Sequence, residues 1–484
     1  MKFNSLIQKL IFTILLLILC ENSYSQGVTW GKLLNYNNGS LYKTQQSSDG
    51  GYIAVGEERI GIDSKIMIVK LDQYGDSVWS KYYDLNTKGN YTGYWVEETY
   101  DNGFIFSGSG EGPLTDAYLI KSESLGNFEW VKIFSTPFQD IGKCVKELPD
   151  KGFILLSRNS PFPNRYIVLT RTDSLGNTIW SKSYGDFHSG LEVQYIENSG
   201  FIVAGWRRFE QEDIAKLYLL RTNLDGDTLW TKMYSEFYHA GAYSIDVAND
   251  KGFIIGGEAD TSQDFRPKAY IVKTDSLGNI QWQKRYANGY NETCYSIRKF
   301  MNNGYVFCGF SDSLQNGHQR GILRRIDLNG NILNEKYFRF GGIDNWFYSV
   351  EMTNDNGLIL CGGSYTTINN NIFALMVKTD STGNIYPVGI NNPVTTNTGF
   401  KLYENYPNPF NPTTTINFDL SKKAMTKLIV YDVTGKEIST LINEQKEAGS
   451  HSIKFDGNNL PSGIYFYKLI WGEFEMVKSM ALIK

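Results

Sequence analysis

The side chains best suited to chemistry are few and far apart in this sequence. The 484 residues include only four His and five Cys. His188, His239 and His318 have no second ligand at metal-binding spacing, and neither His-x-x-x-His nor His-Glu-x-x-His occurs. A Gly-x-Ser-x-Gly elbow and a phosphate-binding loop are also missing. The sequence therefore predicts no catalytic residue, no cofactor and no metal site, and it leaves enzymatic activity uncertain.

Two pairs of acidic residues flank glycines in turn-like segments. They are Asp72 with Asp76 and Asp225 with Asp227. A calcium loop would need a longer acidic segment closed by Glu, which is missing here. Asp side chains also cap turns by accepting backbone N–H groups. We therefore expect these residues to cap turns.

Aromatic residues offer a different chemistry, stacking on sugars or peptides. Three aromatic-rich segments place Trp95, Tyr238 and Trp346 shortly before turn motifs. If exposed around one mouth of the fold, these side chains would form a ligand-binding face. The alternative is that they pack inside the fold.

Composition and charge narrow the class of protein. Hydrophobic residues make up 41% and aromatic residues 14%, too much for a disordered chain. Lys and Arg number 47 against 51 Asp and Glu, so no excess of positive charge exists to bind nucleic acid. The short basic pairs Arg207-Arg208 and Arg324-Arg325 are expected to be solvated.

Two sequence markers recur seven times, about 50 residues apart. The first is Asp/Asn-x-Gly before an apolar strand, and the second is a glycine followed by Asn or Asp. The first marker's glycines are Gly51, Gly103, Gly152, Gly200, Gly252, Gly304 and Gly357, and the second marker's are Gly75, Gly126, Gly176, Gly226, Gly278, Gly330 and Gly383. Both markers suit hairpin turns that need positive φ. Each repeat is thus predicted to form four short strands, and residues 26–389 a seven-bladed β-propeller in an all-β fold.

A tryptophan follows five of the second-marker glycines by four residues. With Trp30, which begins the same strand pattern, the predicted blade-docking residues are Trp30, Trp79, Trp130, Trp180, Trp230 and Trp282. The last two hairpins have Asn334 and Tyr386-Pro387 instead. We therefore expect a strand at Val28–Leu33 to close the ring, either beginning blade one or completing blade seven.

The hairpin pattern Asp-x-x-Gly-Asn-x-x-Trp resembles the tryptophan-docking repeat of quinoprotein-like propellers. Its Gly-to-Trp spacing matches that family, and its Asp-to-Gly spacing is one residue shorter. The pattern also resembles the Asp-box of sialidase-type propellers, where the aromatic residue lies one position closer to Gly. Both resemblances imply a propeller, and in both families these motifs are structural.

The first 25 residues have the features of a secretory signal peptide. Lys2 and Lys9 precede the apolar run Leu10–Cys20, and Ser23 and Ser25 are small residues suited to cleavage before Gln26. The run is too short to span a bilayer, and no later segment is long and apolar enough. Lipidation at Cys20 is the alternative, which the large Leu19 before it disfavours.

Four cysteines follow the signal: Cys144, Cys294, Cys308 and Cys361. An exported protein can form disulfides. Positions equivalent to Cys308 and Cys361 in other repeats hold small or apolar residues, so we expect buried free thiols that act as small hydrophobes.

The repeats are followed by a polar segment, residues 390–402, that is predicted to be a linker. Residues 403–484 then alternate between strand-like and turn-like segments, typical of a small immunoglobulin-like β-sandwich. Strands are expected at about 414–420, 427–433, 450–455, 464–470 and 476–483.

This last segment resembles the type A C-terminal sorting domain of the type IX secretion system of Bacteroidetes and their relatives. The matching motif residues are Asn405, Tyr406, Pro407, Asn408, Pro409, Phe410, Tyr431, Asp432, Gly435, Gly463, Tyr465 and Lys478. The resemblance implies export to the periplasm by the signal peptide and then across the outer membrane by the secretion machinery, its partner. It places the protein outside the cell, either secreted or on the cell surface.

The sequence as a whole predicts an exported propeller that serves as a binding or adhesion module. The competing interpretations are a secreted hydrolase or quinoprotein-like enzyme that uses the propeller funnel, and a structural surface protein. The ligand, the oligomeric state and the choice between release and surface attachment stay open.

Overall fold

The structure is a computed structural model. It describes residues 28–34, 38–83, 89–111, 115–161, 164–185, 188–209, 214–234, 236–261, 266–286, 291–301, 303–312, 318–367, 370–385, 400–403, 405–420, 422–432, 436–471 and 474–484. Within these ranges β-strands are the only regular secondary-structure elements, so the fold is all-β. The signal-peptide prediction, residues 1–25, lies outside the described residues.

The repeats form antiparallel four-stranded sheets, one sheet for each repeat. The first three sheets contain β2 (Gly39–Gln46), β3 (Tyr52–Ile60), β4 (Asp63–Leu71) and β5 (Ser77–Tyr83); β6 (Tyr91–Glu98), β7 (Phe104–Glu111), β8 (Thr115–Ser122) and β9 (Phe128–Phe134); and β10 (Gln139–Glu147), β11 (Phe153–Ser160), β12 (Tyr166–Thr172) and β13 (Thr178–Tyr184). The next two contain β14 (His188–Ile196), β15 (Gly200–Phe209), β16 (Ile214–Thr222) and β17 (Thr228–Tyr234); and β18 (His239–Val247), β19 (Phe253–Asp260), β20 (Lys268–Thr274) and β21 (Ile280–Tyr286). One parallel bridge, Ala215 to His239, joins these two sheets.

The remaining sheets are β22 (Asn291–Lys299), β23 (Tyr305–Asp312), β24 (Arg320–Ile326) and β25 (Ile332–Phe338), and β26 (Asp344–Met352), β27 (Leu358–Thr366) and β28 (Asn371–Thr379) with β1 (Trp30–Leu34). Strand β1 pairs antiparallel with β28, from Trp30 opposite Lys378 to Leu34 opposite Ala374. The N-terminal strand therefore completes the last repeat, the second of the two alternatives above. Because one apolar cluster joins this sheet to the first, containing Leu41 and Met67 with Ile359 and Met376, the sheets close into a β-propeller.

The second-marker turns have the positive φ that the sequence predicts. Gly75 has a φ of +77° in the β4–β5 turn. Asp72 Oδ1 accepts the backbone N–H groups of Tyr74 and Asp76, both at 2.8 Å. Asp72 thus caps its turn, and Asn223 caps the turn that contains Asp227, whose N–H it accepts at 2.7 Å. No group of three His, Cys, Asp or Glu side chains placed to hold a metal ion occurs in the described part of the chain.

The interior of the propeller confirms one prediction about side chains and corrects another. Cys144, Cys294, Cys308 and Cys361 are buried and free of disulfides. Arg324 was expected to be solvated, and this expectation is wrong: its side chain is fully buried and forms ion pairs with Glu292 and Glu335. The two carboxylates supply the partners that a buried guanidinium requires.

The C-terminal residues form two antiparallel sheets. One contains β29 (Phe400–Leu402), β30 (Thr413–Leu420) and β33 (Gly449–Asp456), and the other β31 (Ala424–Tyr431), β32 (Glu437–Lys446), β34 (Gly463–Trp471) and β35 (Phe474–Leu482). Phe418 and Leu428, from different sheets, belong to one buried cluster. Strand β29 lies inside the segment expected to be a linker, so the sheet begins three residues before the boundary drawn from the sequence. Strand β32 was not anticipated.

Candidate binding channel

The innermost strand of every propeller sheet carries a β-bulge at the same place. In β2 the register shifts between Leu41 and Lys43, and the other inner strands shift at the equivalent point. The bulged residues are Tyr42, Tyr94, Lys143, Leu191, Tyr243, Tyr295 and Tyr348, all half-buried. Each lies nine residues before the first-marker glycine of its repeat. Because a bulge re-aims a side chain, the repeat places these seven side chains, the bulge ring, around one axis.

The tyrosines of the bulge ring contact one another. The ring centroids of Tyr348 lie 5.0 Å from those of Tyr42 and Tyr295. Tyr243 continues the series at 5.3 Å from Tyr295, and Tyr94 at 5.6 Å from Tyr42. The aromatic side chains thus form an unbroken arc around the axis. Such an arc presents polarisable faces suited to stacking.

Lys143 continues the arc beyond Tyr94. Its Nζ lies 3.7 Å from the Tyr94 ring centroid, a cation–π distance. Burial lowers the pKa of Lys143 to about 7, and the nearby Arg158 lowers it as well. The side chain is therefore an amine held among aromatic rings.

The bulge ring lines a cavity of about 160 Å³ on the propeller axis. Other lining residues come from the next positions of the inner strands and include Trp95, Glu192, Arg298 and Ser349. These positions lie one or three residues after the bulge. The cavity therefore has an aromatic rim and a polar interior.

Charged side chains from several inner strands are joined in one network beside this cavity. Arg298 is at its centre: Nε donates to Glu351 Oε1 at 2.8 Å, and the guanidinium lies 2.9 Å from Glu192 Oε1. Lys43 forms an ion pair with the same Glu351. Lys146 pairs with Glu97 at 3.3 Å.

The pairing fixes the ionisation of these groups. Burial alone would raise the pKa of Glu351, but Arg298 and Lys43 outweigh it and lower the pKa to about 2. Burial also opposes the charge on Arg298, but Glu192 and Glu351 raise its pKa above the ordinary value. Glu351 is thus ionised at neutral pH and paired with two cations, as buried ions require.

The three aromatic residues proposed for a ligand face do not come together. Trp95 is only 7% exposed and lies in the channel wall, with Lys43 Nζ 4.2 Å and Lys146 Nζ 4.9 Å from its ring. Trp346 is half-buried beside Gly363, and Tyr238 is half-buried beside His239. Only Trp95 of the three lines the axial cavity. The sequence thus indicated β6, the strand that contributes Trp95 to the cavity, but not Tyr94, the bulged residue next to it.

A second cavity, of about 430 Å³, lies between the fourth and fifth sheets. Its wall includes Trp206, Arg208, His239, Glu258 and Asp260. His239 contacts the chain here, with Nδ1 accepting the Ala215 N–H at 3.1 Å. His318 lies in another repeat, 3.4 Å from Asp344 Oδ1, so His239 and His318 share no site. The side chain of His188 lies outside the described residues.

The six repeated tryptophans lie at contacts between neighbouring sheets. A Cβ atom added to Gly126 would be 2.6 Å from Trp79, which belongs to the preceding sheet, and one added to Gly75 would be 2.6 Å from Trp30. The glycines Gly176, Gly226, Gly278 and Gly330 have the same relation to Trp130, Trp180, Trp230 and Trp282. In the repeat that lacks a tryptophan, Asn334 Nδ2 donates to the Thr382 carbonyl.

The motif residues of the C-terminal domain divide into buried and exposed sets. Asn405 is buried, and its Nδ2 donates to Pro407 O at 3.0 Å and Thr414 Oγ1 at 2.9 Å. Phe410 is buried too, and its N–H donates to Ala481 O at 2.8 Å. Between these anchors Tyr406 is 80% exposed, and Pro407, Asn408 and Pro409 are exposed with it.

The later motif residues belong to the strands and turns around this segment. Tyr465 Oη donates to Pro461 O at 2.8 Å, and Asp432 Oδ1 accepts the Lys436 N–H at 3.1 Å. Tyr431, Gly463 and Lys478 lie in β31, β34 and β35. Gly435 lies outside the described residues.

Comparison with known proteins identifies the C-terminal domain. The family described as the secretion system C-terminal sorting domain matches residues 404–483. The chain therefore ends in a sorting domain of the type IX secretion system, as its motifs indicated. A search among curated proteins found no match.

Solved structures resemble the chain only distantly. Chaetomium thermophilum Sqt1 has a TM-score of 0.43 and 10% identity, over 74% of this chain and 98% of that one. The β-propeller domain of the trilobed protease from Pyrococcus furiosus has a TM-score of 0.42 and 11% identity, over 76% and 99%. PorZ, described as a surface component of the type IX secretion system of Porphyromonas gingivalis, has a TM-score of 0.25 and 10% identity, over 92% and 81%. Likeness at this level indicates no activity.

No helix in the described residues has the length and hydropathy needed to cross a membrane.

Proposed function

Because the chain ends in a type IX sorting domain, we propose that it is an exported, seven-bladed propeller that binds a ligand in its axial channel. Seven sequence repeats, each with its own four-stranded sheet, support the blade number. The two sheets of residues 400–484 share a buried core, which supports an immunoglobulin-like sandwich as the sorting domain. The protein is then secreted or held at the cell surface.

The observation that carries the binding proposal is the bulge ring. Five of its seven members are tyrosines that contact one another around an open cavity. Docking between blades does not account for them, since the tryptophans occupy that position. Tyrosine offers a large, rigid and amphipathic contact surface, which suits the stacking of sugar rings. We therefore propose a glycan as the ligand.

The two carboxylates paired with Arg298 do not suit hydrolysis. A glycosidase needs two carboxyl groups, one of which stays protonated as an acid. Glu351 and Glu192 instead share Arg298, and the pKa of Glu351 is about 2. These groups hold the inner strands together.

A glycan array probed with the purified, signal-free protein tests the binding proposal. We expect binding to a limited set of glycans and its loss in Tyr348→Ala, which opens the arc. Tyr74→Ala is the matched control, because Tyr74 is exposed in the β4–β5 turn and takes no part in the channel. Binding that survives Tyr348→Ala, or an array without any bound glycan, would contradict the proposal.

A reporter fused to residues 400–484 and to the signal peptide tests the export proposal separately. We expect it outside the cell in a bacterium with a functional type IX system and in the periplasm of a strain without one. Retention of the reporter in both strains would contradict the sorting role.

The docking role of the six tryptophans is also part of the proposal. Each tryptophan contacts the hairpin glycine of the next sheet, which supports this role. A hydrogen bond between the same two sheets supports it as well: Tyr184 Oη donates to Gly226 O at 2.6 Å.

A further inference from the structure

Three residues that line the axial cavity carry a hydrogen-bond donor without an acceptor among the described residues. Trp95 Nε1 and Ser349 Oγ are buried without a partner. Lys143, the third, forms no ion pair or hydrogen bond with any described residue. All three residues line the same cavity. Because an unsatisfied buried donor is costly, three such residues around one cavity point to a ligand group rich in acceptor oxygens.

One basic side chain that lines the cavity, Lys143, has no carboxylate partner among the described residues. The charged lining residues of the cavity are Lys43, Lys143 and Arg298 against the single carboxylate Glu192. Glu192 is already held by Arg298 and by the Ile245 N–H, at 3.2 Å. Lys143 is thus left without a carboxylate partner among the described residues, and its neighbour Arg158 adds positive charge.

Two further carboxylates near the tyrosines accept hydrogen bonds from hydroxyl groups. Glu57 accepts from Tyr42 Oη at 3.0 Å and from Thr92 Oγ1 at 2.5 Å. Glu258 accepts from Tyr243 Oη at 2.7 Å and from Thr293 Oγ1 at 2.8 Å. These bonds tie each carboxylate to uncharged hydroxyl groups of two neighbouring inner strands, and neither carboxylate pairs with Lys143.

The size of the cavity limits what enters it. Pockets that enclose a drug-sized ligand measure about 300–1,000 Å³. At about 160 Å³ the axial cavity takes one compact group, with the rest of the ligand outside. Tyrosine faces around a compact group suit a single sugar ring better than an extended peptide.

We propose that the axial cavity is a subsite for a terminal acidic sugar, whose carboxylate pairs with Lys143 and accepts from Trp95 Nε1 and Ser349 Oγ while its ring stacks on the tyrosines. This proposal rests on the glycan-binding function above and specifies its ligand as a uronic-acid-type residue. Lys143 acts here as the counter-ion of the ligand.

The test is calorimetric titration of the signal-free full chain with a uronate-terminated disaccharide and its carboxyl-reduced, neutral counterpart. We expect the neutral sugar to bind at least tenfold more weakly, because a hydrogen bond to a charged group contributes about 1.5–3 kcal/mol, or about 10- to 150-fold. Lys143→Gln should weaken uronate binding by a similar factor and leave the neutral sugar unchanged. Lys143→Arg should restore most of the affinity. Lys299→Gln is the matched control, an exposed lysine at the end of an inner strand.

Circular dichroism and the unfolding midpoint show whether each variant is folded. Equal affinity for the two sugars, or uronate binding unchanged in Lys143→Gln, would overturn the proposal. If neutral glycans bind and only Tyr348→Ala abolishes their binding, the acidic subsite is refuted and the binding function stands. If no glycan binds the wild-type protein, both are refuted. Preference for a tripeptide with a free C-terminal carboxylate, dependent on Lys143, would refute the sugar assignment.

Discussion

Gly126→Ala perturbs the contact between two neighbouring blades without touching the channel. Gly126 lies in the β8–β9 turn with a φ of +71°, and an added Cβ would be 2.6 Å from Trp79. Its carbonyl also accepts Tyr83 Oη at 2.7 Å. We expect the substitution to destabilise the propeller because the indole must move.

Two costs combine in this variant. A residue with a Cβ costs about 1–2 kcal/mol in the left-handed region. Overpacking a filled contact costs about 1–3 kcal/mol more. Gly61→Ala separates the two, because Gly61 has nearly the same φ, +69°, and no atom within 4 Å of its Cβ position. Gly61→Ala should therefore show only the first cost.

Denaturant unfolding of the full chain, followed by circular dichroism, measures the difference. We expect Gly126→Ala to have a lower midpoint than Gly61→Ala in the wild-type background. In a Trp79→Ala background the two alanine variants should differ little, since the clash is gone. Equal midpoints in the wild-type background, or a difference that persists without Trp79, would refute the docking role.

Three further predictions concern other parts of the chain. Deleting residues 28–34 removes β1 and should lower the thermal unfolding midpoint sharply; an unchanged melting curve would rule out closure by this strand. The pKa of Glu351 is lowered from 4.5 to about 2, so the stability that its ionised form contributes is present above pH 4.5 and is lost as the pH falls through about 2. Glu351→Gln should flatten the dependence of stability on pH in that range, and an unflattened acid limb would count against the ion-pair network. Asn405→Ala should cost the sorting domain about 1–3 kcal/mol in urea unfolding, whereas the exposed Tyr406→Ala should change the midpoint little. Equal midpoints for these two variants would contradict the structural role of Asn405.

The fold could be predicted from sequence because its determinants are local and repeated. A hairpin that needs positive φ selects Gly or Asn, so glycines such as Gly75 and Gly126 recur with the period of the sheet. The placement of β1 could be narrowed to two alternatives but not decided. Whether β1 begins the first sheet or completes the last depends on which of these sheets lacks a fourth strand. That is seen only once the sheets are arranged in a ring.

The channel could not be predicted in the same way, because its residues are defined by tertiary position. The bulge ring contains Tyr94, Lys143 and Leu191 at equivalent places, so no single residue type marks it. The sequence does contain one signal for the bulge ring: each of its residues lies nine residues before the first-marker glycine of its repeat. Its meaning depends on knowing that this strand is the innermost and that it bulges there.

Buried charge was the other feature hidden from the sequence. Arg324 and Arg298 look like surface residues by type, because charged residues are rarely buried unless paired. Their partners, Glu292 and Glu351, are 32 and 53 residues away in the chain. Arg324 meets Glu292 only when their sheet forms, and Arg298 meets Glu351 only when that sheet packs against the next.

The position of a bound glycan tests the central claim most directly. A crystal structure of the signal-free protein with the best glycan from the array should show a sugar ring in the axial cavity, against Tyr348 and its neighbours in the bulge ring. A glycan bound elsewhere on the propeller, with the axial cavity unoccupied, would contradict the account.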